Sequence, residues 1–286
     1  MPKSIKIIAV PYHLDQPRLG MGAGPEAYLS AGAVDLLREQ GNDVAATILE
    51  QESTPGNQLD FILALQQQIA AQVQQAIAQE SFPLILSGNC SASIGALGGI
   101  ARTDLGLIWL DGHGDFNTPA TSPSGFFDGM GLAVIAGLCH PQFAQTLGGC
   151  LPLAASRLVH LGGREFDPGE LDNFRGSGAR LISAEQIQKN GVDDAIKRAI
   201  EHIGDNLYTI HLHLDIDVLN SNDYPANEFP AAGGLTLDEL ETTLDRIAQE
   251  FLIQSMTLSA YDPAYDPEGR TLRAGLQLMR QVLTVA

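Results

Sequence analysis

Residues 105–119 read Leu-Gly-Leu-Ile-Trp-Leu110-Asp111-Gly-His113-Gly-Asp115-Phe-Asn117-Thr-Pro119, an apolar run that stops abruptly in acidic and imidazole side chains. The run has the length of a strand, and in parallel sheets functional groups collect just past the carboxyl ends of strands. If the chain stays extended, residues 111, 113, 115 and 117 share one face. Two carboxylates, an imidazole and an amide are then expected to point the same way.

A second stretch, His211-Leu-His213-Leu-Asp215-Ile-Asp217, places a polar residue at every other position. If Leu212, Leu214 and Ile216 pack under helices, the His and Asp face is expected to look into a polar cavity or a metal, because uncompensated buried carboxylates are costly. Four Asp residues with no Lys or Arg nearby in sequence imply a cation. An oxygen-rich set with one or two imidazoles suits Mn²⁺ better than Zn²⁺, and a pair of such ions can lower the pKa of a bridging water.

Outward from these stretches, short apolar runs alternate with segments of helical period, the pattern of repeated βα units and a mostly parallel sheet. The expected strands are Ile5–Val10, Val44–Leu49, Pro83–Leu86, Leu105–Leu110, Arg157–Leu161, Leu207–Leu214 and Ser255–Ser259. Phe61, Leu65, Ile69, Val73 and Ile77 predict a helix over Asp60–Gln79, its glutamines on a solvated face. Thr236 with Glu239, and Ser183 with Gln186, read as capping boxes, the first opening a helix over Leu237–Phe251.

No linker divides the 286 residues, so one domain over 1–286 is expected. Sixteen Lys and Arg against 34 Asp and Glu give a net charge of −18, which repels polyphosphate and attracts cations. Nucleic acid and anionic membrane are therefore poor partners. The start MPKSIKIIAVPYH is too short and Pro-interrupted for a signal peptide, and no run of about 18 apolar residues occurs, so a cytoplasmic protein is expected. Cys90, Cys139 and Cys150 are too few for a disulfide framework and are expected as reduced thiols.

At these residues the chain resembles the arginase/agmatinase family over nearly its whole length. The family's D-A-H-x-D-x-N-T-P block matches Asp111 to Pro119, and its S-x-D-x-D block matches His213 to Asp217. Gln16-Pro-Arg18 with Gly24-Pro25, Gly163-Arg-Glu-Phe-Asp167-Pro-Gly-Glu170 and Gly233-Gly-Leu-Thr236 agree in order and spacing. The resemblance implies a three-layer α/β/α sandwich with a mostly parallel, roughly eight-stranded sheet. It also implies two Mn²⁺ ions, with another divalent metal left open. Carried over by position, Asp111 and Asp215 would bridge the ions, Asp115 would serve the first, and His113 and Asp217 the second. Asn117 would position substrate, Ser122 and Ser124 would grip an α-carboxylate, and Asp167 would meet the α-amino group.

Three departures fall at the reacting end. The family's G-G-D-H-S block reads Ser87-Gly-Asn-Cys90-Ser91, putting Cys90 in a metal-ligand position; as thiolate it would be a fifth anionic ligand and make the cluster less Lewis acidic. The proton-shuttling His aligns with Asp128. The Glu that contacts the guanidinium aligns with Ala260, leaving Tyr261 and Asp262 as substitutes. His213 stands where the family has a small residue, and takes over base duty or hydrogen-bonds a ligand. His211 is expected in the latter role, and His13, His140, His160 and His202 as ordinary residues.

The resemblance implies hydrolysis of a guanidino C–N bond of arginine or Nω-hydroxyarginine by metal-bound hydroxide, releasing urea or a substituted urea. Two alternatives stay open: a hydrolase of another amidine or amide on the same scaffold, and a non-catalytic binding protein. A homo-oligomer is left open too.

Overall fold

The computed structural model describes residues 3–51, 57–204 and 208–285. Eight strands form one sheet: β1 (Ser4–Val10), β2 (Asp43–Ile48), β3 (Ser81–Ser87), β4 (Leu105–Leu110), β5 (Leu158–Leu161), β6 (Arg180–Ile182), β7 (Thr209–Asp215) and β8 (Leu252–Ser259). Their order is β2-β1-β3-β8-β7-β4-β5-β6, and every pairing is parallel. Alternate residues feed two separate cores. Ile7, Leu84, Ile108 and Leu212 pack on one face with the helices Leu237–Glu250 and Arg270–Val285, while Ile8, Ile85 and Trp109 pack on the other with Gln58–Ala78 and Ala92–Gly99. That is the expected three-layer α/β sandwich, with the central strands covered on both faces.

Six of the seven expected strands lie within the described residues, and each has a counterpart shifted by a few residues at most. The Leu207 start of the seventh falls outside the described residues, and that strand is described from Thr209. β6 gave no signal because it has only three residues and sits at an edge. The small antiparallel hairpin Tyr12–His13 with Gln16–Pro17 was likewise invisible to periodicity. Both capping boxes form, Ser183 with Gln186 and Thr236 with Glu239.

The long helix begins at Gln58, because Asn57 caps it by accepting from the Asp60 amide at 3.0 Å. Its glutamines are not all solvated. Gln66 is buried and its Oε1 accepts from the Gly95 amide at 2.8 Å, where the helices Gln58–Ala78 and Ala92–Gly99 cross. A Cβ at Gly95 would lie 2.7 Å from the Gln66 carbonyl oxygen, so only glycine permits that approach. Among the described residues no helix is long and apolar enough to cross a membrane.

Candidate metal centre and active site

The carboxyl ends of four adjacent strands, β3, β8, β7 and β4, open into one cavity of about 640 Å³. Ten residues singled out in the sequence line it: Cys90, His113, Asp115, Asn117, Ser122, Ser124, Asp128, Asp167, Asp215 and Asp217. Asp111 and His213 do not line it and lie beneath its floor, 1% and 0% exposed.

Cys90 follows β3 on a loop that passes hard against the Tyr12 backbone; a Cβ at Gly88 would meet the Tyr12 carbonyl oxygen at 2.2 Å. Asp128 fixes this loop. Its Oδ2 accepts from Asn89 Nδ2 at 2.6 Å and from the Cys90 amide at 3.2 Å, and its Oδ1 accepts from the Ser91 amide at 2.8 Å. The Cys90 thiol donates to Asp215 Oδ2 at 2.8 Å. On the other side, His113 Nδ1 lies 3.0 Å from Asp217 Oδ2 and 3.8 Å from Asp111 Oδ1. The Asp217 amide donates to Asp215 Oδ1 at 2.7 Å, and the Gly112 amide to Asp217 Oδ1 at 3.0 Å. One thiol, one imidazole and four carboxylates thus meet at the end of the sheet.

Two expectations about orientation are corrected. The segment after β4 is not extended: Asp115 has φ +50°, and its carbonyl accepts from the Leu132 and Ala133 amides. A left-handed non-glycine residue stores strain of about 1–3 kcal/mol, which the surrounding hydrogen bonds must hold. This turn takes Asp115 into the cavity and leaves Asp111 beneath it. Nor do His211 and His213 look into the cavity. The helix Ala92–Gly99 covers their face, and they are satisfied by hydroxyls instead: His213 by Ser93 and Ser259, His211 by Ser255, Ser93 and Thr257. Desolvation holds both imidazoles neutral.

At the outer end, Asn117 Nδ2 donates to Asp167 Oδ2 at 2.9 Å. Ser122 Oγ and Ser124 Oγ accept from the Gly125 and Phe126 amides, which leaves each hydroxyl proton free to donate. Tyr261 and Asp262 do not line the cavity: the Tyr261 hydroxyl donates to Asp266 and the Asp262 carboxylate accepts from the Ala264 amide. Ala260 does line it, at φ +66°, its carbonyl accepting from Asn227 Nδ2 at 2.9 Å.

The sequence reading missed Glu170, which is buried, lines the cavity, and joins two loops by accepting from the Phe116 and Asp167 amides. Its place inside a matched block was the available signal. It also missed the aromatic mouth, where Phe126 lies 5.8 Å from His13 and 5.6 Å from Phe229 between ring centroids. No periodicity links those three loops.

The donor set fits divalent cations. Among the described residues no Lys or Arg lines the cavity, so the carboxylates crowd each other. Burial and then Asp217 push Asp111 up to about 8, burial and then Asp111 raise Asp115 well above the carboxylate range, and burial and then Asp217 do the same for Asp215. Burial, then Asp215, raises the Cys90 thiol. Burial alone would lower His113, but Asp217 and Asp111 bring it to about 9; burial alone would raise Asp217, but His113 holds it below the usual range. Cations between these groups would relieve the repulsion.

A stability prediction follows from the signs. A group whose folded pKa is raised stabilises the fold below its unfolded pKa, and that contribution is lost as pH rises through the folded value. Asp111 and His113, raised to about 8 and about 9, therefore both cost the metal-free protein stability as pH rises. Asp217 and the buried His160, His211 and His213 have the opposite sign, but their changes are complete below about pH 7. In chelator the Tm is therefore expected to fall from about pH 7 to about pH 8, and the gain in Tm on adding Mn²⁺ to grow over the same interval. A metal-induced gain independent of pH would show that these groups do not share a cation.

The Arginase family pattern matches residues 3–284. The chain is 32% identical over 289 residues to the arginase of Bacillus caldovelox, covering 97% of each, and 32% identical over 293 residues to that of Brevibacillus brevis, covering 99% of this chain and 98% of the other. A solved arginase from Bacillus cereus superposes with a TM-score of 0.90 at 32% identity, covering 98% of each chain. An agmatine ureohydrolase from Thermoplasma volcanium shares the fold at a TM-score of 0.75, covering 99% of this chain and 89% of that one at 18% identity. With the strand order, the cavity at the strand ends and these matches in agreement, the chain belongs to the arginase family, as a hydrolase acting on guanidino compounds.

Proposed function

We propose that the chain hydrolyses the guanidino group of an arginine-like amino acid with two divalent ions, releasing urea or, from an N-hydroxylated guanidine, hydroxyurea. The observation that carries the reading is the convergence in one cavity of Cys90, His113, Asp115, Asp215 and Asp217, with Asp111 just beneath its floor, and of the Ser122, Ser124, Asn117 and Asp167 group. Cys90, Asp111, Asp115 and Asp215 would hold one ion and Asp111, His113, Asp215 and Asp217 the other, an oxygen-rich set that favours Mn²⁺. Such ions supply Lewis acidity that lowers the pKa of a water and orients it.

The chain's own groups do the rest. The Ser122 and Ser124 hydroxyls donate to an α-carboxylate, and Asp167, steadied by Asn117, meets the α-amino group. Asp128 lines the cavity, where burial raises its carboxyl against the pull of the 89–91 loop, and it stands as the candidate proton donor to the leaving amine. His213 does not line the cavity and is not placed for base duty there. Three free cysteines support a reducing, cytoplasmic setting.

Cys90→Ser is expected to weaken one ion selectively, because a neutral hydroxyl is a far poorer ligand than a thiolate. The Co²⁺-substituted parent should show a sulfur-to-metal charge-transfer band that the variant lacks; a parent without that band removes Cys90 from the ligand set. The function itself is tested by a urea and hydroxyurea release screen over guanidino compounds with Mn²⁺ supplied. Two ions bound but no product from any of them would point to another amidine or amide, and no bound metal would point to a binding protein.

A further inference from the structure

We infer that His213 supplies a nitrogen donor to the ion beside Cys90, from beneath the cavity floor. The inference rests on the two-metal reading and extends its ligand set. Cys90 Sγ, a carboxylate oxygen of Asp111 and a ring nitrogen of His213 all lie within 4.8 Å of one another, close enough to share one ion, and all three residues are buried.

The surroundings suit one nitrogen for the ion. His213 Nδ1 is 2.8 Å from Ser93 Oγ, Ser93 Oγ is 3.3 Å from His211 Nε2, and His211 Nδ1 is 2.7 Å from Ser255 Oγ. If His213 donates its Nδ1–H to Ser93, Ser93 donates its hydroxyl to His211 Nε2, and His211 donates its Nδ1–H to Ser255. Every donor in the chain then meets an acceptor, and His213 Nε2 keeps its lone pair. A second donor hydroxyl, Thr257 Oγ1 at 3.2 Å, converges on His211 Nε2 and suits that nitrogen as an acceptor. A ring N–H held by an outer hydrogen bond while the other nitrogen binds is the usual arrangement of metal-ligating histidines. On its free side, His213 Nε2 has only Ser259 Oγ at 3.4 Å, which itself sits 3.1 Å from Cys90 Sγ.

The ring is also locked in place. It stacks on Trp109 with centroids 3.5 Å apart and planes at 16°, and the same Trp109 donates from Nε1 to Asp111 Oδ2 at 2.9 Å. One indole therefore orients two of the three donors. A thiol, a carboxylate and an imidazole make a softer site than carboxylates and water would, so the two ions are expected to differ in affinity.

X-ray absorption of the Mn²⁺-loaded parent decides the matter without a variant: scattering from two imidazoles per pair of ions is expected, one from His113 and one from His213. One imidazole with two ions bound overturns this inference and leaves the two-metal reading standing, whereas failure to bind two ions overturns that reading itself. His213→Asn supplies the second measurement. Its Nδ2 can still donate to Ser93, while nothing replaces Nε2. One ion's affinity is expected to fall by more than the roughly 10–100-fold that a residue merely hydrogen-bonded to a ligand costs. Unchanged affinities at both ions would reduce His213 to a hydrogen-bond partner of Ser93 and Ser259.

Discussion

Replacing Asp111 or Asp215 by Ala is expected to lower kcat/KM at least about 10³-fold and to leave fewer than two ions per chain, beyond the 10–100-fold typical of groups one step removed from a metal. Each carboxylate has two tasks. Asp111 accepts from the His113 amide and from Trp109 Nε1, and Asp215 accepts from the Asp217 amide and the Cys90 thiol. Each residue thus organises other donors besides offering its own oxygens, and no neighbouring side chain can take both positions. Collapse of the fold would give the same loss of rate, so Asp111→Asn separates the two. In chelator at pH 8 the parent holds Asp111 against the desolvation and repulsion that raise it. Asn removes that burden, so the chelated variant should melt at or above the parent while failing to gain Tm from Mn²⁺. Stability would then have been sacrificed at this position for binding. Either Ala variant with full metal and full rate removes both residues from the ligand set.

Much of this was legible because β3, β4 and β7 announce themselves as apolar runs ending in polar residues, and parallel topology sends such ends to one rim. What alternation could not settle was depth. In β7 the residues Thr209, His211, His213 and Asp215 share a face, yet only Asp215 reaches the cavity, because the helix Ala92–Gly99 covers the rest. A two-sided core makes polar alternation in a central strand report a buried hydrogen-bond network as readily as a site. The backbone after β4 was read as extended for a different reason: a left-handed turn at a residue that is not glycine leaves no mark in sequence, since its cost is borne by amides from residues 132 and 133. Tyr261 and Asp262 were promising only as neighbours of Ala260. The turn at Ala260 carries them into contacts with residues 264 and 266 instead.

Nω-Hydroxy-L-arginine is expected to outrank L-arginine in kcat/KM, and agmatine to be poor. At the reacting end Ala260 faces the cavity with no carboxylate beside it in sequence to replace a guanidinium contact, since Tyr261 and Asp262 are engaged elsewhere. Asp128 is the acid near that end, but both its oxygens already accept hydrogen bonds from the 89–91 loop, so neither is left free to carry a proton to the leaving amine. Loss of a well-placed general acid costs about 10²–10⁴-fold, most when the leaving amine is strongly basic. Release of urea from arginine and of hydroxyurea from its hydroxylated form expels the same amine, so Asp128 serves both alike; the N-hydroxyguanidine gains because it is the weaker base, is more often neutral near pH 7 and presents a carbon open to attack without the missing guanidinium contact. A thiolate at Cys90 adds anionic charge to the cluster and weakens activation of water, which again favours the more reactive substrate. The amino-acid end is not relaxed in this way. Ser122 and Ser124 keep hydroxyl protons for a carboxylate, which agmatine lacks. Steady-state rates on the three compounds with Mn²⁺ supplied check the order. Arginine ahead of its hydroxylated form would mean that the guanidinium charge is no handicap in this cavity, and agmatine ahead of both would mean that Ser122, Ser124 and Asp167 hold no amino-acid end at all.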